Sequence, residues 1–257
     1  MAEPPALTAR LDGQHAIVTG AAAGIGRAVA GALHAAGANV TVTDIDADGA
    51  RAVAESLGRS GLPCLGLRLD VTDDASVRAG VAEAAECWGR VDVLVNNAGI
   101  SGYSTPVWET TDADWQRVLD LNLSGTFRMC RAVVPHMLAR GYGRIVNIAS
   151  ISAKDGNVNV AAYPASKAGI IGFTRALAME LVQQGVLVNA VSPAAVDTET
   201  SLAADQTMRA PLVAKIPMGR AAKPEEIAAL VAFLASPACA FSTGANFDIT
   251  GGRANIT

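Results

Sequence analysis

The sequence predicts an α/β fold: a single domain built on a doubly wound, mainly parallel sheet of Rossmann type. Short runs rich in Val and Ile alternate with longer Ala-rich segments of helical period, as repeated β-α units require. The first such run leads directly into a glycine-rich junction, "TGAAAGIG". Of the 257 residues, 51% are hydrophobic and only 17% charged, enough apolar material to cover both faces of a sheet. No composition break divides the chain. Residues 1–10, "MAEPPALTAR", read as a short tail, and 11–257 as one domain.

The elements follow in order. "HAIVT" at 15–19 is the first strand. After it Ile25, Ala28, Val29, Ala32, Leu33 and Ala36 fall on one helical face, and Gly37 supplies a stop signal. "NVTVTD" at 39–44 completes the first β-α-β unit. Further strands are expected at "LGLRLD" (65–70), "VDVLVNN" (91–97), "GRIVNIAS" (143–150), "VLVNAVS" (186–192) and "ANFDIT" (245–250). Across 193–223 the periodicity weakens while Pro193, Pro211 and Pro217 accumulate, so this segment is read as an excursion over one end of the sheet, a lid on the substrate side.

Composition excludes several classes. A net charge of −4 with scattered Lys and Arg leaves no footprint for nucleic acid. Cys64, Cys87, Cys130 and Cys239 lack metal-ligand spacing, so no metal is expected, and they read as reduced thiols of a cytoplasmic protein. The N-terminus has no basic region leading into an apolar stretch, and no apolar run approaches the roughly 18 residues a membrane span needs.

The glycine loop carries the first functional signal. Gly20, Gly24 and Gly26 at a strand-helix junction permit a tight turn and close approach of backbone to a pyrophosphate, favoured by free N–H groups at the helix start. "NVTVTD" ends in Asp44, 18 residues after Gly26, near the spacing at which an acidic residue meets the adenosine ribose. A carboxylate there accepts from both ribose hydroxyls and repels a 2′-phosphate, which favours NAD over NADP. Capping the next helix is the other job open to Asp44, and equally to Asp46.

In "AAYPASKAG" Tyr163 and Lys167 stand four residues apart, on one helical face and about 6 Å apart along the axis. Hydride transfer at an alcohol carbon needs a group of adjustable pKa at the oxygen. A phenol titrating near 10 needs about 4 kcal/mol of preferential phenolate stabilisation to approach neutrality, and a lysine ammonium one turn away has the right charge.

"TGAAAGIG" resembles the TGxxxGxG signature of the short-chain dehydrogenase/reductase superfamily, and the likeness runs from about Leu11 to Gly252. "NNAG" at 96–99 and "LDV" at 69–71 resemble that family's fourth- and third-strand motifs. The resemblance implies a cofactor site at Gly20, Gly24, Ile25, Gly26, Asp44, Asp70, Val71, Asn97, Ala98 and Gly99, with Asp70 on the adenine amine. Pro193, Val196 and Thr198 of "SPAAVDT" would face the nicotinamide carboxamide. Ser150, Tyr163, Lys167 and Asn122 stand in the order of the family's catalytic residues. Ser150 would orient the substrate oxygen, Tyr163 act as acid/base, Lys167 lower the tyrosine pKa and hold the nicotinamide ribose, and Asn122 hold a water of a proton relay.

Two positions depart from the family pattern. Ala194 stands where glycine is usual, which matters if that backbone has positive φ. In "ITGG" no acidic residue precedes the glycines. The stretch "ISAKDGNVNVAA" between Ser150 and Tyr163 is polar where many relatives are apolar, making Ser152, Lys154 and Asn157 candidate substrate contacts beside Asp155 and Asn159, with Lys154 facing a carboxylate. The segment has a faint likeness to sugar-acid dehydrogenases.

The expected function is therefore hydride transfer between a nicotinamide cofactor and a secondary alcohol or ketone, with a sugar or sugar acid as substrate. The alternatives are an NADPH-dependent 3-oxoacyl-carrier-protein reductase and, in another class, a non-catalytic nucleotide-binding oligomer. Broad apolar faces on "EEIAALVAFLASP" and on the helix of Tyr163 suggest burial against a partner subunit; the resemblance points to a homotetramer or homodimer.

Overall fold

The computed structural model describes residues 9–59, 61–203 and 206–255; most of the expected tail, residues 1–8, lies outside them. The strands are β1 (His15–Thr19), β2 (Asn39–Asp44), β3 (Cys64–Arg68), β4 (Val93–Asn96), β5 (Gly143–Ile148), β6 (Val186–Pro193) and β7 (Asn246–Ile249). They form one seven-stranded sheet in the order β3-β2-β1-β4-β5-β6-β7, parallel throughout. The order reverses between β1 and β4, where a doubly wound sheet opens a crevice at its carboxyl edge.

Helices cover both faces: α1 (Gly24–Ala35), α2 (Ala47–Gly58), α3 (Asp74–Trp88), α4 (Asp112–Leu119), α5 (Gly125–Leu138), α6 (Ser152–Asp155), α7 (Ala162–Leu181), α8 (Glu199–Ala203), α9 (Gln206–Ala214) and α10 (Pro224–Ala235). Because side chains alternate along a strand, each central strand feeds two cores. Ala16, Val18, Val93, Val95 and Val146 pack with Val29, Leu33, Ile227 and Val231 on one side. Ile17, Leu94 and Ile145 pack with Val81, Met129, Val133 and Leu177 on the other. This double burial is why the strands read as nearly continuous apolar runs.

Strands β1 and β2 match their expected spans, while β4 is shorter. Asp92 instead joins the sheet margin by its main chain and side chain: its N donates to His15 O, and its carboxylate accepts from His15 N at 2.8 Å. On α1 the buried set extends past the expected face to Gly26 and Ala30, because the helix is wedged between the sheet and α10. Gly37 follows with φ +99°, a conformation glycine adopts without penalty.

Helix α7 presents Ser166, Lys167, Ile170, Thr174 and Leu177 to the interior. A polar ladder holds it on the sheet: Asn96 Nδ2 donates to Asn147 Oδ1 at 2.8 Å, and Asn147 Nδ2 to Thr174 Oγ1 at 2.9 Å. Helices α4 and α5 are joined by a π-helical turn, Asp120–Ser124, that carries Asn122. Among the described residues of 193–223 the chain forms α8 and α9, and Val196 makes a parallel bridge with Ala222.

Candidate active site

A cleft of about 540 Å³ opens at the carboxyl ends of β1, β4, β5 and β6. Gly20, Gly24, Ile25, Asp44, Asp70, Val71, Asn97, Ala98, Gly99, Ser150, Tyr163, Lys167, Pro193, Val196 and Thr198 all line it. Residues as much as 178 positions apart in the sequence thus meet at one crevice.

At the glycine loop the backbone is packed too closely for side chains. A Cβ on Gly26 would lie 2.2 Å from Gly20 O and 2.5 Å from Asn97 Nδ2. Asn97 Nδ2 donates to Thr19 O and Gly20 O at 3.0 and 2.9 Å, while Thr19 Oγ1 accepts from Asn97 N and Ala98 N. These bonds bind the β1 and β4 ends into one floor. Ala23, the residue preceding α1, has no side chain to cap the helix. The Gly24 amide meets the Glu199 carboxylate at 3.2 Å, and the start of the helix is otherwise left to an anion. Close backbone approach, a helix start without a side-chain cap from Ala23 and an acidic residue on β2 fit a dinucleotide; Gly26 itself packs behind the loop and does not line the cleft.

Asp44 and Asp46 divide the two jobs that their sequence left open. Asp46 caps α2, accepting from Gly49 N at 3.1 Å. Asp44 accepts from Ala22 N at 3.1 Å and Asp46 N at 3.0 Å, so it braces the glycine loop while facing the cleft. Asp70 accepts from Thr72 Oγ1 at 2.7 Å and Thr72 N at 2.9 Å. The Thr72 hydroxyl above all holds its carboxyl below the usual range.

At the other end Ser150 and Tyr163 line the cleft together, and Ser150 Oγ accepts from Ser152 N at 3.1 Å. Lys167 is 4% exposed and donates from Nζ to Ile148 O at 2.7 Å. Pro164 is tolerated because it falls in the first turn of α7, whose N–H groups have no partners within the helix. Burial opposes the expected lowering of the tyrosine by Lys167. Burial holds Tyr163 above its ordinary value, outweighing the Ser150 hydrogen bond that pulls it down. Burial also pushes Lys167 down to about 8. The lysine is thus poised close to its own titration.

Asn122 stands just behind the cleft, fully buried. Its Oδ1 accepts from Ile100 N at 2.8 Å, and its Nδ2 donates to Ile100 O and Ser166 Oγ, both at 2.9 Å. Ser166 Oγ in turn donates to Tyr163 O at 2.7 Å, so the amide ties the π turn to the helix of Tyr163. A Cβ on Gly99 would lie 3.2 Å from Asn122 Oδ1 and 3.3 Å from Lys167 Nζ, which shows how closely the two groups converge. Ala194 lacks positive φ, so its methyl is borne without backbone strain.

The polar loop before α7 is placed differently. Ser152, Lys154 and Asn157 are not brought into the cleft lining. Lys154 Nζ pairs with Asp248 at 2.6 Å, Asn157 Nδ2 donates to Ser152 Oγ at 2.7 Å, and Asp155 accepts from Arg253 Nε at 2.8 Å. The loop's charges are therefore satisfied by β7 and the C-terminal turn. Sequence reasoning also missed Thr19, Ser166, Arg27 and Glu199. Thr19 and Ser166 lie inside motifs already singled out, but their partners become visible only once the strands and helices are packed.

A crevice at the switch point of a Rossmann sheet, with an anion-accepting glycine loop and a Ser/Tyr/Lys cluster, defines a dinucleotide-linked oxidoreductase. Residues 20–254 match the family model described as Enoyl-(Acyl carrier protein) reductase. The chain is 44% identical to 2-dehydro-3-deoxy-L-rhamnonate dehydrogenase (NAD(+)) of Sphingomonas sp. (strain SKA58), over 95% of this chain and 96% of that protein. It is 46% identical to D-threitol dehydrogenase of Mycolicibacterium smegmatis, over 95% and 94% respectively. To 3-oxoacyl-[acyl-carrier-protein] reductase FabG of Escherichia coli it is 41% identical, over 94% and 97%. The crystal structure of gox2181 superposes with a TM-score of 0.92 at 39% identity, covering 96% of this chain and 97% of that one. The chain belongs to the short-chain dehydrogenase/reductase family.

Proposed function

We propose that the protein is an NAD-dependent dehydrogenase that interconverts a secondary alcohol and a ketone on a polar, hydroxylated substrate of the sugar or sugar-acid class. The observation that carries this reading is the convergence of Ser150, Tyr163 and Lys167 at one end of a cleft whose other end carries Asp44. The activities named for the Sphingomonas and Mycolicibacterium relatives support the substrate class, and the former supports NAD.

Bound NAD supplies the hydride acceptor. Ser150 orients the substrate oxygen, and Tyr163 takes its proton or returns it. Lys167 holds the nicotinamide ribose, and its charge favours the phenolate when Tyr163 has given up its proton. Asn122 fixes the π turn and the Tyr163 helix in register and would hold a water that continues the relay. Asp44 meets the adenosine ribose and Asp70 the adenine amine. Ser152 and Asn157 support the substrate wall from behind, while Lys154 reaches a substrate carboxylate only by leaving Asp248. Residues 193–223 form the substrate-side lid.

We also assign a homotetramer or homodimer in the cytoplasm. Phe127 of α5 and Met179 of α7 are exposed, and Phe127 packs edge-on against Phe173 at 6.3 Å. Phe233 on α10 offers a second exposed apolar position. The four cysteines are free thiols. Among the described residues no helix is long and apolar enough to cross a membrane, and none form a metal-binding group.

The test is turnover with NAD and NADP on aldonic and deoxy sugar acids, tetritols, simple hydrophobic alcohols and, in reverse, 3-oxoacyl thioesters. Preference for sugar acids or tetritols with NAD is expected. Preference for the thioesters with NADPH would establish the reductase reading, which the similarity to FabG favours and Asp44 opposes. Light scattering on the eluted protein gives the subunit number.

A further inference from the structure

Glu199, the first residue of α8, reaches back to the glycine loop. Its Oε2 accepts from Gly24 N at 3.2 Å, and its Oε1 pairs with Arg27. Gly24 opens α1 and Arg27 lies in its first turn, so a carboxylate delivered from 175 residues away stands at the anion-accepting end of this helix. The delivery is well anchored. A Cβ on Gly24 would lie 3.2 Å from the Thr198 methyl. Val196 bridges to Ala222, Asp197 N donates to Ala222 O at 2.9 Å, and the Asp197 carboxylate pairs with Arg209.

Two forces hold Glu199 there. Free amides at a helix start favour negative charge, and the Arg27 guanidinium is a second cationic partner. Both are the attractions that a diphosphate would use at the same place. The pair is half exposed, with side chains 50% and 53% accessible, so it contributes little by itself and is cheaply exchanged.

The geometry points to Glu199 as an internal surrogate for the cofactor pyrophosphate, holding the Gly24 amide and Arg27 until phosphate oxygens take both. This rests on the dinucleotide reading above. Two consequences distinguish it from an ordinary surface ion pair. Arg27 becomes a cofactor-binding residue that changes anion partner, and cofactor affinity is reduced by the fraction of molecules in which Glu199 holds the loop.

The test is Glu199→Gln, titrated calorimetrically with NADH and with ADP, which carries the diphosphate and adenosine but no nicotinamide. Removing the competing charge is expected to tighten both ligands about three- to tenfold at low ionic strength. The gain should shrink at about 0.5 M salt, where exposed charges are screened. In an Arg27→Gln background both ligands should bind more weakly, and Glu199→Gln should have a smaller effect. Unchanged or weaker binding of both ligands to Glu199→Gln, with the unsubstituted protein binding them normally, overturns the surrogate role alone. Failure of the unsubstituted protein to bind either ligand removes the dinucleotide reading, and the surrogate role with it.

Discussion

Lys167 Nζ lies 5.8 Å from the centre of the Tyr163 ring, one helical turn along α7, while donating its bond to Ile148 O on the sheet. The pair is therefore held by two independent supports, the helix and the end of β5. Both groups are shifted by burial toward their neutral forms.

Tyr163→Phe removes the only proton-carrying atom of that ring and leaves the glycine loop untouched. Turnover should fall by about a hundred- to ten-thousand-fold. NADH affinity measured by fluorescence titration should stay near that of the unsubstituted protein. Turnover within a few-fold of normal would refute the acid/base assignment.

Lys167→Met should show a conflict between activity and stability. Burial moves the lysine from 10.5 to about 8, so at neutral pH the folded protein carries a buried charge that costs it about 3 kcal/mol. Between about 8 and 10.5 the unfolded chain binds more protons than the folded one, and stability rises with pH. The methionine variant, relieved of the penalty but lacking the bond to Ile148 O, should melt higher than the unsubstituted protein at pH about 7. Its advantage should fade as pH rises through that window, while activity is lost throughout. Thermal melts at several pH values decide it.

Asp44→Ser removes the carboxylate that faces the adenosine end and part of the brace on Ala22 N. The ratio of kcat/KM for NAD over NADP should drop by about tenfold or more as repulsion of the 2′-phosphate disappears. A loss for both cofactors in equal proportion would mean that Asp44 serves only to brace the loop.

His15 should make the fold acid-labile. Its ring, fully buried, bonds Arg90 O at 2.5 Å and Thr41 Oγ1 at 2.8 Å. Burial holds its pKa down at about 4 against 6.5 when free. As pH falls from about 6.5 toward 4 the unfolded chain takes up a proton that the folded chain refuses, so stability declines, by about 3 kcal/mol once below both values. Urea midpoints measured between pH 7 and about 4 should fall less steeply for His15→Gln than for the unsubstituted protein.

Much of the fold was legible because the alternation of apolar strands and amphipathic helices is a local property, and a strand buried on both faces needs no distant information to be recognised. "HAIVT" and "NVTVTD" became β1 and β2 without adjustment. The four-residue spacing of Tyr163 and Lys167 likewise implied a shared face of one helix. Elsewhere local signals were ambiguous. Two aspartates two residues apart were equal candidates for capping α2, and only the path of the chain at the end of β2 gave the cap to Asp46 and the cleft to Asp44. Lys154 read as a substrate contact, and its pairing with Asp248 of β7 was not visible in the sequence.

Sequence by itself determined the doubly wound α/β class, the glycine loop and the residue types that gather for hydride transfer, because those depend on periodicity and short spacing. The tertiary structure alone decided the balance of charge. It showed that burial dominates the titration of Tyr163 and Lys167, that the polar loop is pinned to the C-terminal turn, and that Glu199 reaches the start of α1. Burial and ion pairing depend on which distant segments meet, and no local pattern records the carboxylate that arrives from 175 residues away.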